Sequence, residues 1–407
     1  MEYSNYMKKV LLLPGSAMQI PLIKKLKENG HYVKSLHPVD NFPTKPYSDE
    51  YALVDILNLP KCLEIAKDFE PNVVLSEECD IAMPTIAYLS KELKLSSLSE
   101  ADAALYTDKS LMREFCKEHS ILSPAFRKCT NTLEAKEFFR SQQGKCILKP
   151  LDSNCSKGVF IIEKENDIDQ YWEESICFSK CENALLIEQY IEGVEFTVDG
   201  IVTPAGHKSL AISEKRHYDY NPSIAYELFF SNHNDNYDYE ELRKINNYFV
   251  DCSTLPIGFF THAEYKYMDG KFYLIEIGAR GGGNYISSDI VPIMSGVENY
   301  EYMIDVLVEG KTKEDIRIDG ALYDRCALLY FFDVPCSGVV KEIQGLDVLA
   351  KNPNVIRYEL HFKIGDTIQR ANNDSARVGY YIAYAENKTT LRALMEQINE
   401  TFKILVE

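Results

Sequence analysis

Long apolar runs are missing from this chain of 407 residues. A membrane-spanning helix needs about 20 consecutive apolar residues, and no stretch of the sequence approaches that length. The run VLLL near the N-terminus stops at Pro14 and Gly15, which indicates a first strand rather than a signal peptide. We therefore expect no membrane partner.

Positive charge is scarce. The chain has 44 Lys and Arg against 62 Asp and Glu, a formal net charge of -18. Such a chain repels nucleic acid and anionic membrane surfaces at long range. We expect no nucleic-acid partner, and an anionic ligand would need a local basic pocket or a bound metal.

Closely spaced cysteine pairs are also absent. The eleven cysteines are odd in number and include no CxxC pair, the closest spacing being Cys177 to Cys181. Disulfide frameworks and zinc sites have other patterns. The prediction is a cytoplasmic location in which most cysteines act as small hydrophobic residues.

Two glycine-rich nucleotide signatures are missing. Gly15 follows the first apolar run without the rest of a GxGxxG pattern, and no GxxxxGK[ST] is present before a helix. Neither a dinucleotide fingerprint nor a Walker A loop is therefore predicted.

The order of apolar patterns predicts an α/β protein with three domains. Strands and amphipathic helices alternate up to residue 105, which predicts a small parallel sheet covered by helices. Residues 106–315 alternate less regularly, and residues 316–407 carry short strands and a final helix, as in a small α+β domain.

Polar motifs concentrate in the middle region. Asp108 lies near the start of a helix and Lys109 follows it. The stretch KCILKPLDSNCSKGVFII predicts two antiparallel strands, the first ending at Lys149 and Pro150, joined by a polar loop. Hydroxyls, backbone N–H groups and a cation in such a loop can close over phosphates.

A second motif, LLIEQYIEGVEFTVDG, predicts a strand, a bend and another strand. Backbone groups from Gln189 to Ile191 could meet an adenine edge. Glu195, seven residues after Glu188, could take ribose hydroxyls, although unremarkable surface acids give the same pattern.

A third motif, THAEYKYMDGKFYLIEIGARGGGN, predicts a hairpin that places Glu264 opposite Glu276. Two facing carboxylates repel unless a cation lies between them, and oxygen ligands suit Mg²⁺ bound with nucleotide phosphates. A solvent-facing strand and flexible turn is the alternative, because glycine clusters usually mark turns.

The order and spacing of these motifs resemble the ATP-grasp superfamily and, within it, the carboxylate–amine ligases typified by L-amino acid ligases. The resemblance covers nearly the whole chain. It implies a Rossmann-like pre-ATP-grasp domain at 1–105, an ATP-grasp domain at 106–315 and a small C-terminal α+β domain at 316–407. It further implies ATP and Mg²⁺, or Mn²⁺, as cofactors, and it allows a homodimer.

The resemblance also assigns roles to residues. The nucleotide-binding set comprises Lys109, Lys149, Ser153, Asn154, Ser156, Lys157, Gly158, Glu188, Gln189, Tyr190, Ile191 and Glu195. Glu264 and Glu276 would ligate the metal, and Arg280 would reach the transferred phosphoryl group or the acyl phosphate. Gly278 stands where many ATP-grasp enzymes have an asparagine that ligates a further Mg²⁺, so the number of metal ions stays open.

Substrate contacts are predicted near ISEKRHYDY and the glycine cluster. His217 could accept a proton from the attacking ammonium or fix a carboxylate. Bare backbone in the glycine cluster could approach a substrate, and N–H groups after it could hold a carboxylate if a helix starts there. The candidate substrate residues are Lys215, Arg216, Gly282, Gly283 and Asn284. His262 should face the same side as Glu264, with a phosphate contact and a structural role both open, and Cys155 is expected to have no catalytic role.

The predicted function is an ATP-dependent ligase that joins a carboxylate to an amine, most simply two amino acids, through an acyl phosphate. Phosphoryl transfer of this kind demands charge neutralisation and positioning. The alternatives are a ligase for a sugar acid or another metabolite, including a phosphoribosylamine–glycine type, a kinase that stops at phosphoryl transfer, and a non-catalytic ATP-binding scaffold.

Overall fold

The computed structural model describes residues 7–152, 157–179, 183–334 and 336–407. Within these ranges four β-sheets are present. Ser153, Asn154, Cys155 and Ser156 of the predicted phosphate loop lie outside the described residues.

The N-terminal sheet is parallel, with strand order β3-β2-β1-β4. It consists of β1 (Lys9–Leu12), β2 (Tyr32–His37), β3 (Glu50–Leu53) and β4 (Val73–Leu75). The helices around it are α1 (Ile20–Glu28), α2 (Leu59–Phe69), α3 (Met83–Leu93) and α4 (Glu100–Leu105). The predicted alternation of strands and helices is confirmed, except that β3 and α4 were not foreseen.

A small antiparallel sheet follows, with strand order β5-β8-β6-β7. Its strands are β5 (Phe126–Cys129), β6 (Cys146–Pro150), β7 (Phe160–Ile162) and β8 (Leu185–Gln189), and the accompanying helices are α5 (Lys109–Glu118), α6 (Thr132–Ser141) and α7 (Asn166–Ile176). Asp108 caps α5, because its carboxylate accepts from the backbone N–H groups of Ser110 and Leu111 at 2.7 and 3.1 Å. Lys109 is therefore fixed at the first turn of this helix.

The central sheet has eight strands in the order β13-β12-β9-β10-β11-β14-β18-β16, all antiparallel. The middle region supplies β9 (Val194–Thr203), β10 (Gly206–Tyr218), β11 (Asn221–Ser231), β12 (Phe260–Met268) and β13 (Lys271–Gly278), with α8 (Tyr239–Asp251), α9 (Val291–Ser295) and α10 (Asn299–Met303). The C-terminal region supplies β14 (Cys326–Phe331), β16 (Val355–Leu360) and β18 (Gly379–Ala385).

The rest of the C-terminal region packs beside this sheet. It contains β15 (Gly338–Gln344), α11 (Asp347–Ala350), β17 (Thr367–Ile368), α12 (Lys388–Thr401) and β19 (Lys403–Val406), with a third antiparallel sheet in the order β17-β15-β19. The predicted domain boundaries at 105 and 315 stay predictions, and the central sheet runs across the second of them. No helix of the described ranges has the length and apolar character to cross a membrane.

One row of residues crosses all eight strands of the central sheet, and directly paired residues share a face. In strand order, the row is Tyr273, Lys266, Glu195, Lys215, Leu228, Leu329, Ile382 and Arg357. Lys266, Glu195 and Lys215 are charged, whereas the next three members of the row, on β11, β14 and β18, are apolar. This face of the sheet therefore has a charged part and an apolar part next to each other.

Candidate active site

A cavity of about 360 Å³ is lined by the central sheet, the small antiparallel sheet and parts of the N- and C-terminal regions. Its lining divides into three parts. An apolar slot is formed by Pro124, Ile147, Val159, Ile161, Ile191 and Ile275. A charged centre contains Asp80, Lys109, Lys149, Glu188, Glu195, Lys215, His217, His262, Glu264, Lys266, Glu276 and Arg280. The far end contains Pro222, Ser223, Ala225, Leu228, Ile286, Leu329, Phe331, Asp374 and Arg377, and Gln189, Tyr190, Gly278, Gly283 and Asn284 also line the cavity.

The two predicted metal glutamates face each other. Glu264 on β12 is the direct cross-strand partner of Glu276 on β13, as the hairpin pattern predicts. Lys215 Nζ lies 2.6 Å from Glu264 Oε1, and Lys109 Nζ lies 2.9 Å from Glu276 Oε1. Each carboxylate is thus neutralised by a different lysine.

The donor set fits a magnesium ion that is shared with a nucleotide. Among the described residues, no group of three or more His, Cys, Asp or Glu side chains is placed to hold a metal ion. Mg²⁺ is commonly bound by one or two carboxylates together with substrate phosphates and water. Glu264 and Glu276 provide two such carboxylates and leave the remaining positions to phosphate oxygens.

Lys109 is a buried cation that acidic neighbours keep charged. Burial acts to lower the pKa of Lys109, but Glu276 and Asp80 outweigh it, so that the pKa is raised. The residue is 5% exposed and lines the charged centre. A fixed positive charge therefore lies beside the paired glutamates.

Glu188 joins two cations. Its Oε1 accepts from Arg113 Nε at 2.7 Å, and its Oε2 lies 2.5 Å from Lys149 Nζ. Burial acts to raise the pKa of Glu188, but Arg113 and Lys149 outweigh it and the pKa is lowered. Both oxygens of Glu188 thus contact buried cations, and its predicted contact with the adenine stays a prediction.

Lys149 keeps its place at the end of β6 but has an unusual environment. Burial is the main cause that lowers the pKa of Lys149, and Arg113 and Lys109 lower it further, while Glu188 acts in the opposite direction. Glu188 is thus the group that favours the charged form of this lysine.

A second charge cluster surrounds Glu195. Lys215 Nζ lies 2.6 Å from Glu195 Oε1, His217 Nε2 lies 3.5 Å from Glu195 Oε2, and Lys266 Nζ lies 4.0 Å from the same oxygen. Burial acts to raise the pKa of Glu195, but these three neighbours outweigh it and hold the pKa well below its usual range. Lys215 links the cluster to the metal pair, because it contacts both Glu195 and Glu264.

Arg280 is fixed by an acid from the N-terminal region. Its Nε and Nη2 atoms donate to the two carboxylate oxygens of Asp80 at 2.9 and 2.7 Å. Asp80 also explains Gly278: a Cβ atom at position 278 would overlap Asp80 Oδ1 and lie 3.3 Å from Arg280 Nε. The space next to the backbone of residue 278 is filled by the carboxylate of Asp80.

The three consecutive glycines have different surroundings. A Cβ on Gly281 would overlap Glu77 Oε1, and one on Gly282 would lie 2.6 Å from Asp199 Oδ1. Around Gly283, in contrast, no atom lies within 4 Å of such a Cβ. Close packing against protein carboxylates therefore requires the first two glycines, and only the third faces open space.

Two substrate candidates are placed away from the cavity. The N–H of Gly282 donates to Asp199 Oδ1 at 2.8 Å, and the residue is buried and does not line the cavity. Arg216 is exposed between Lys215 and His217, outside the cavity lining, with Nε 3.7 Å from Glu227 Oε1. The predicted substrate contacts of these two residues are not supported. The N–H of Gly282 is already hydrogen-bonded within the protein, and strand alternation points the side chain of Arg216 away from the cavity.

His262 faces the cavity, as the alternation along β12 predicts. Its Nδ1 lies 2.9 Å from Asp199 Oδ1, the oxygen that also accepts from Gly282. A helical segment does start after Asn284, at Ile286–Ile290, and continues into α9.

The predicted adenine-binding backbone is partly engaged. The N–H of Gln189 donates to Ala125 O at 2.8 Å, and that of Tyr190 donates to Lys145 O at 3.0 Å. Ile191 is the remaining candidate of the three. Near the phosphate loop, Lys157 is exposed and Gly158 is buried, and neither lines the cavity, whereas Val159 does.

Two family models match the chain. The phosphoribosylglycinamide synthetase ATP-grasp (A) domain matches residues 107–220. The chain contains an ATP-grasp domain. The L-amino acid ligase C-terminal domain 2 matches residues 330–407 of the same ATP-grasp chain.

Solved structures share the fold of this ATP-grasp protein. L-amino acid ligase from Bacillus licheniformis superposes with a TM-score of 0.84 at 17% identity, covering 100% of both chains. Phosphoribosylglycinamide synthetase from Anaerococcus prevotii has a TM-score of 0.75 at 20% identity, covering 99% of this chain and 100% of the other.

A curated relative, phosphoribosylamine–glycine ligase from Methanocaldococcus jannaschii, is 26% identical over 207 residues, which are 48% of this chain and 46% of the relative. The ATP-grasp protein thus spans about half the length of the curated relatives it matches. These relatives are ligases and formyltransferases by name.

Several residues of the cavity and its surroundings were not identified from the sequence. Arg113 is four residues after Lys109 on one face of α5, a spacing that could have marked it. Asp80 and Asp199 lie in ordinary strand and turn patterns, and only the folded chain brings them to Arg280 and Gly282.

Proposed function

We propose that this ATP-grasp protein is an ATP-dependent carboxylate–amine ligase that joins two amino acids and releases ADP and phosphate. One observation carries the proposal. The cross-strand pair Glu264 and Glu276, flanked by Lys215 and Lys109, lines one cavity together with apolar side chains of the small and the central sheet. The match to an L-amino acid ligase C-terminal domain supports the same class.

The apolar slot suits an adenine ring. Ile147 and Ile161 come from the small sheet and Ile275 from the central sheet, and all three are partly exposed. We infer that the base lies between them, with its edge at Ile191 and its ribose towards Glu195. Ser153, Asn154, Ser156, Lys157 and Gly158 remain the proposed phosphate loop.

The charged centre suits the triphosphate. Glu264 and Glu276 would hold Mg²⁺ or Mn²⁺, which neutralises phosphate charge when it is bound. Lys109 and Lys149 would contact phosphate oxygens from the other side. Their ion pairs with Glu276 and Glu188 position both lysines before a nucleotide arrives.

The carboxylate substrate would be activated beside Arg280. A carboxylate does not react with an amine at neutral pH, so the γ-phosphoryl group is first transferred to it. The planar donor fork of an arginine suits a phosphate or carboxylate oxygen, and Asp80 fixes the orientation of Arg280. Positioning of this kind is the main contribution of a protein to phosphoryl transfer.

His217 is the proposed proton acceptor for the amine. Its side chain lines the cavity next to the acidic oxygens of Glu195. After the amine attacks the acyl phosphate, the new C–N bond forms, phosphate leaves and one amine proton must be removed. A cytoplasmic location is also proposed, since the nine described cysteines are free thiols.

The test is a release assay with paired substrates. Purified protein, ATP and Mg²⁺ are incubated with amino acids singly and in pairs, and ADP, phosphate and ligated products are measured. Ligation requires that both a carboxylate and an amine be present. A phosphorylated product that forms without an amine would instead indicate a kinase. ¹⁸O placed in the substrate carboxylate should appear in the released phosphate, and its absence there excludes the acyl phosphate.

Glu276→Ala tests the metal assignment. Removing this ligand should abolish turnover and also abolish the Mg²⁺-dependent part of ADP affinity measured by calorimetry. Glu400→Ala, at an exposed glutamate of α12, is the matched control and should keep both. Near-normal turnover in Glu276→Ala would show that the metal is held elsewhere.

A further inference from the structure

We propose that two copies of this chain associate edge to edge through β16, so that their eight-stranded central sheets join across a two-fold axis. β16 is the last strand in the order of this sheet, and among the described residues it pairs only with β18. The proposal concerns assembly and does not rest on the ligase function. It comes from the backbone geometry and the charge pattern of this strand.

The two edges of the central sheet differ. At the β13 edge, the N–H of Leu274 donates to Leu122 O at 2.9 Å, so the segment before β5 occupies that edge. Along β16, no turn or loop of the described ranges forms a backbone hydrogen bond with Tyr358 or Leu360. Unpaired N–H and C=O groups at a sheet edge are a template for another strand.

β16 has little of the protection that isolated edges usually carry. A bulge at Ile356 interrupts its pairing with β18, and bulges of this kind discourage further pairing. The bulge leaves a regular stretch, Arg357 to Leu360, that contains neither lysine nor proline. These four residues are therefore open to a partner strand.

The direction of the backbone groups along this stretch follows from one hydrogen bond. The N–H of His361, directly after the strand, donates to Val378 O at 2.9 Å and so points towards β18. In an antiparallel strand, the N–H and C=O of one residue point to the same side, and successive residues alternate. The backbone groups of Leu360 and Tyr358 therefore point to the free edge, and those of Glu359 point to β18.

The charge pattern selects one register for two identical strands. A two-fold axis at Tyr358 places Tyr358 opposite its own copy, where the two residues exchange both backbone hydrogen bonds. The same axis places Arg357 opposite Glu359 of the second copy, twice, in non-hydrogen-bonded pairs whose side chains lie closest. An axis at Arg357 or at Glu359 would place like charges opposite each other, which is unfavourable.

Arg357 is held in position for this contact. Its Nε and Nη2 atoms donate to the carboxylate of Asp289 at 2.6 and 3.3 Å, and its guanidinium carbon lies 3.8 Å from the centre of the Tyr285 ring. The side chains of Arg357 and Glu359 are 31% and 39% exposed. A guanidinium has five donors, so Arg357 can bind a second carboxylate at a small cost in side-chain entropy.

Apolar side chains beside the strand add to the surface. Ile356 is 37% exposed and would lie beside Leu360 of the second copy. Leu346, before α11, is 37% exposed, and Ile364, after β16, is 62% exposed. A stable interface buries about 1,200–2,000 Å² in total, which is more than four paired residues provide. These flanking side chains supply further apolar area.

Charge reversal tests the register. The full chain is analysed by sedimentation velocity without nucleotide, and we expect a dimer. Arg357→Glu and Glu359→Arg each place like charges opposite each other at both pairs, so the dissociation constant should rise at least about tenfold. When the two variants are mixed, residue 357 of one again faces the opposite charge at residue 359 of the other. A heterodimer should therefore form, which a merely misfolded variant could not do.

Glu165→Arg is the matched control. Glu165 forms an exposed ion pair with Arg140, at 2.5 Å between Oε1 and Nη2, beside the small antiparallel sheet. The substitution changes the charge by the same amount away from β16, so this variant should sediment as the wild type does.

Tyr358→Cys is a second test, which serves if the charge variants do not fold. Directly opposite residues of a hydrogen-bonded pair have Cα atoms about 5.5 Å apart, which is within the range of a disulfide. Mild oxidation should therefore link two copies of this variant. The wild type, with exposed Cys177 and Cys336, gives the background of other links.

Three outcomes would overturn the proposal. These are a monomeric wild type, a dimer that persists in both folded charge variants, and monomeric variants that do not associate when they are mixed. A Tyr358→Cys variant that links no more than the wild type would also contradict the position of the axis. Because these measurements need neither nucleotide nor substrate, none of their outcomes bears on the proposed ligase.

Discussion

Gly278→Ala is a sharp test of how Arg280 is held. The backbone at Gly278 has no left-handed φ angle, so an alanine is not excluded by backbone strain. The obstacle is Asp80 Oδ1, which a Cβ at this position would overlap. Adding the methyl group must therefore displace the carboxylate that accepts two hydrogen bonds from Arg280.

The expected cost follows from this geometry. Overpacking by one methyl group in a filled site costs about 1–3 kcal/mol. The side chains of Arg280 and Asp80 are only 18% and 25% exposed, so solvent replaces little of what their pair loses. In an Asp80→Ala background the overlap disappears, and Gly278→Ala should then be neutral or stabilising by about 0.5–1 kcal/mol, because alanine suits a strand better than glycine.

The assay is a double-mutant cycle on unfolding free energy. Wild type, Gly278→Ala, Asp80→Ala and the double variant are unfolded in urea and followed by circular dichroism. The coupling energy should be about 1–3 kcal/mol, within the range measured for residues in contact. Gly283→Ala is the control, since its Cβ meets no atom within 4 Å and its backbone also avoids the left-handed region.

Additivity of the two substitutions would refute this reasoning. If the coupling energy lies within about 0.5 kcal/mol of zero, as for independent sites, Asp80 does not occupy the space beside residue 278. The same conclusion holds if Gly278→Ala and Gly283→Ala are equally tolerated.

Two further substitutions test buried charges. Glu188→Gln leaves Arg113, 0% exposed, and Lys149, 5% exposed, without their shared anion, so urea unfolding should show a loss of about 3–5 kcal/mol; an unchanged unfolding free energy would contradict the network. Burial raises the pKa of Glu77 to about 7 from 4.5, so the folded state holds a proton that the unfolded state releases. This contribution to stability is present below about pH 4.5 and is lost as pH rises through 7. The Tm of Glu77→Gln minus the Tm of the wild type should therefore increase from pH 5 to pH 8. Tm values that change in parallel with pH in the two proteins would contradict the raised pKa of Glu77.

The cross-strand pairing of Glu264 with Glu276 could be predicted from the sequence because local rules determine it. The turn after Met268 contains Asp269 and Gly270, both with left-handed φ angles of 51° and 79°, which suits a tight hairpin. Once the turn is placed, strand alternation determines which residues face each other. The pairing of Glu264 with Glu276 needs no information from the rest of the chain.

The partners of the other charged residues could not be predicted in this way. Glu188 lies 75 residues after Arg113, and Arg280 lies 200 residues after Asp80. Such contacts arise only when separate sheets pack together, and no periodicity along the chain encodes them. For the same reason the sequence suggests ligand contact for Gly282, whereas the structure shows packing against Asp199.

Strand β3 was missed for a different reason. Three of its four residues are exposed and the fourth is half-buried, so it has no alternating apolar face. Its place at the edge of the parallel sheet comes from pairing with β2 alone. An edge strand that is held by backbone hydrogen bonds alone cannot be recognised from the pattern of apolar residues in the sequence.

The continuity of the central sheet across residue 315 limits how the chain can be divided. A fragment that ends there would lack β14, and β11 would become an edge of 11 residues with unpaired backbone groups. Leu228 and Phe230 on one face and Phe229 on the other would lose their neighbours, and a long apolar edge of this kind pairs readily with other chains. Self-association, rather than a separately folded nucleotide-binding unit, is the expected fate of such a fragment, so a truncation or domain exchange should keep β11 and β14 together.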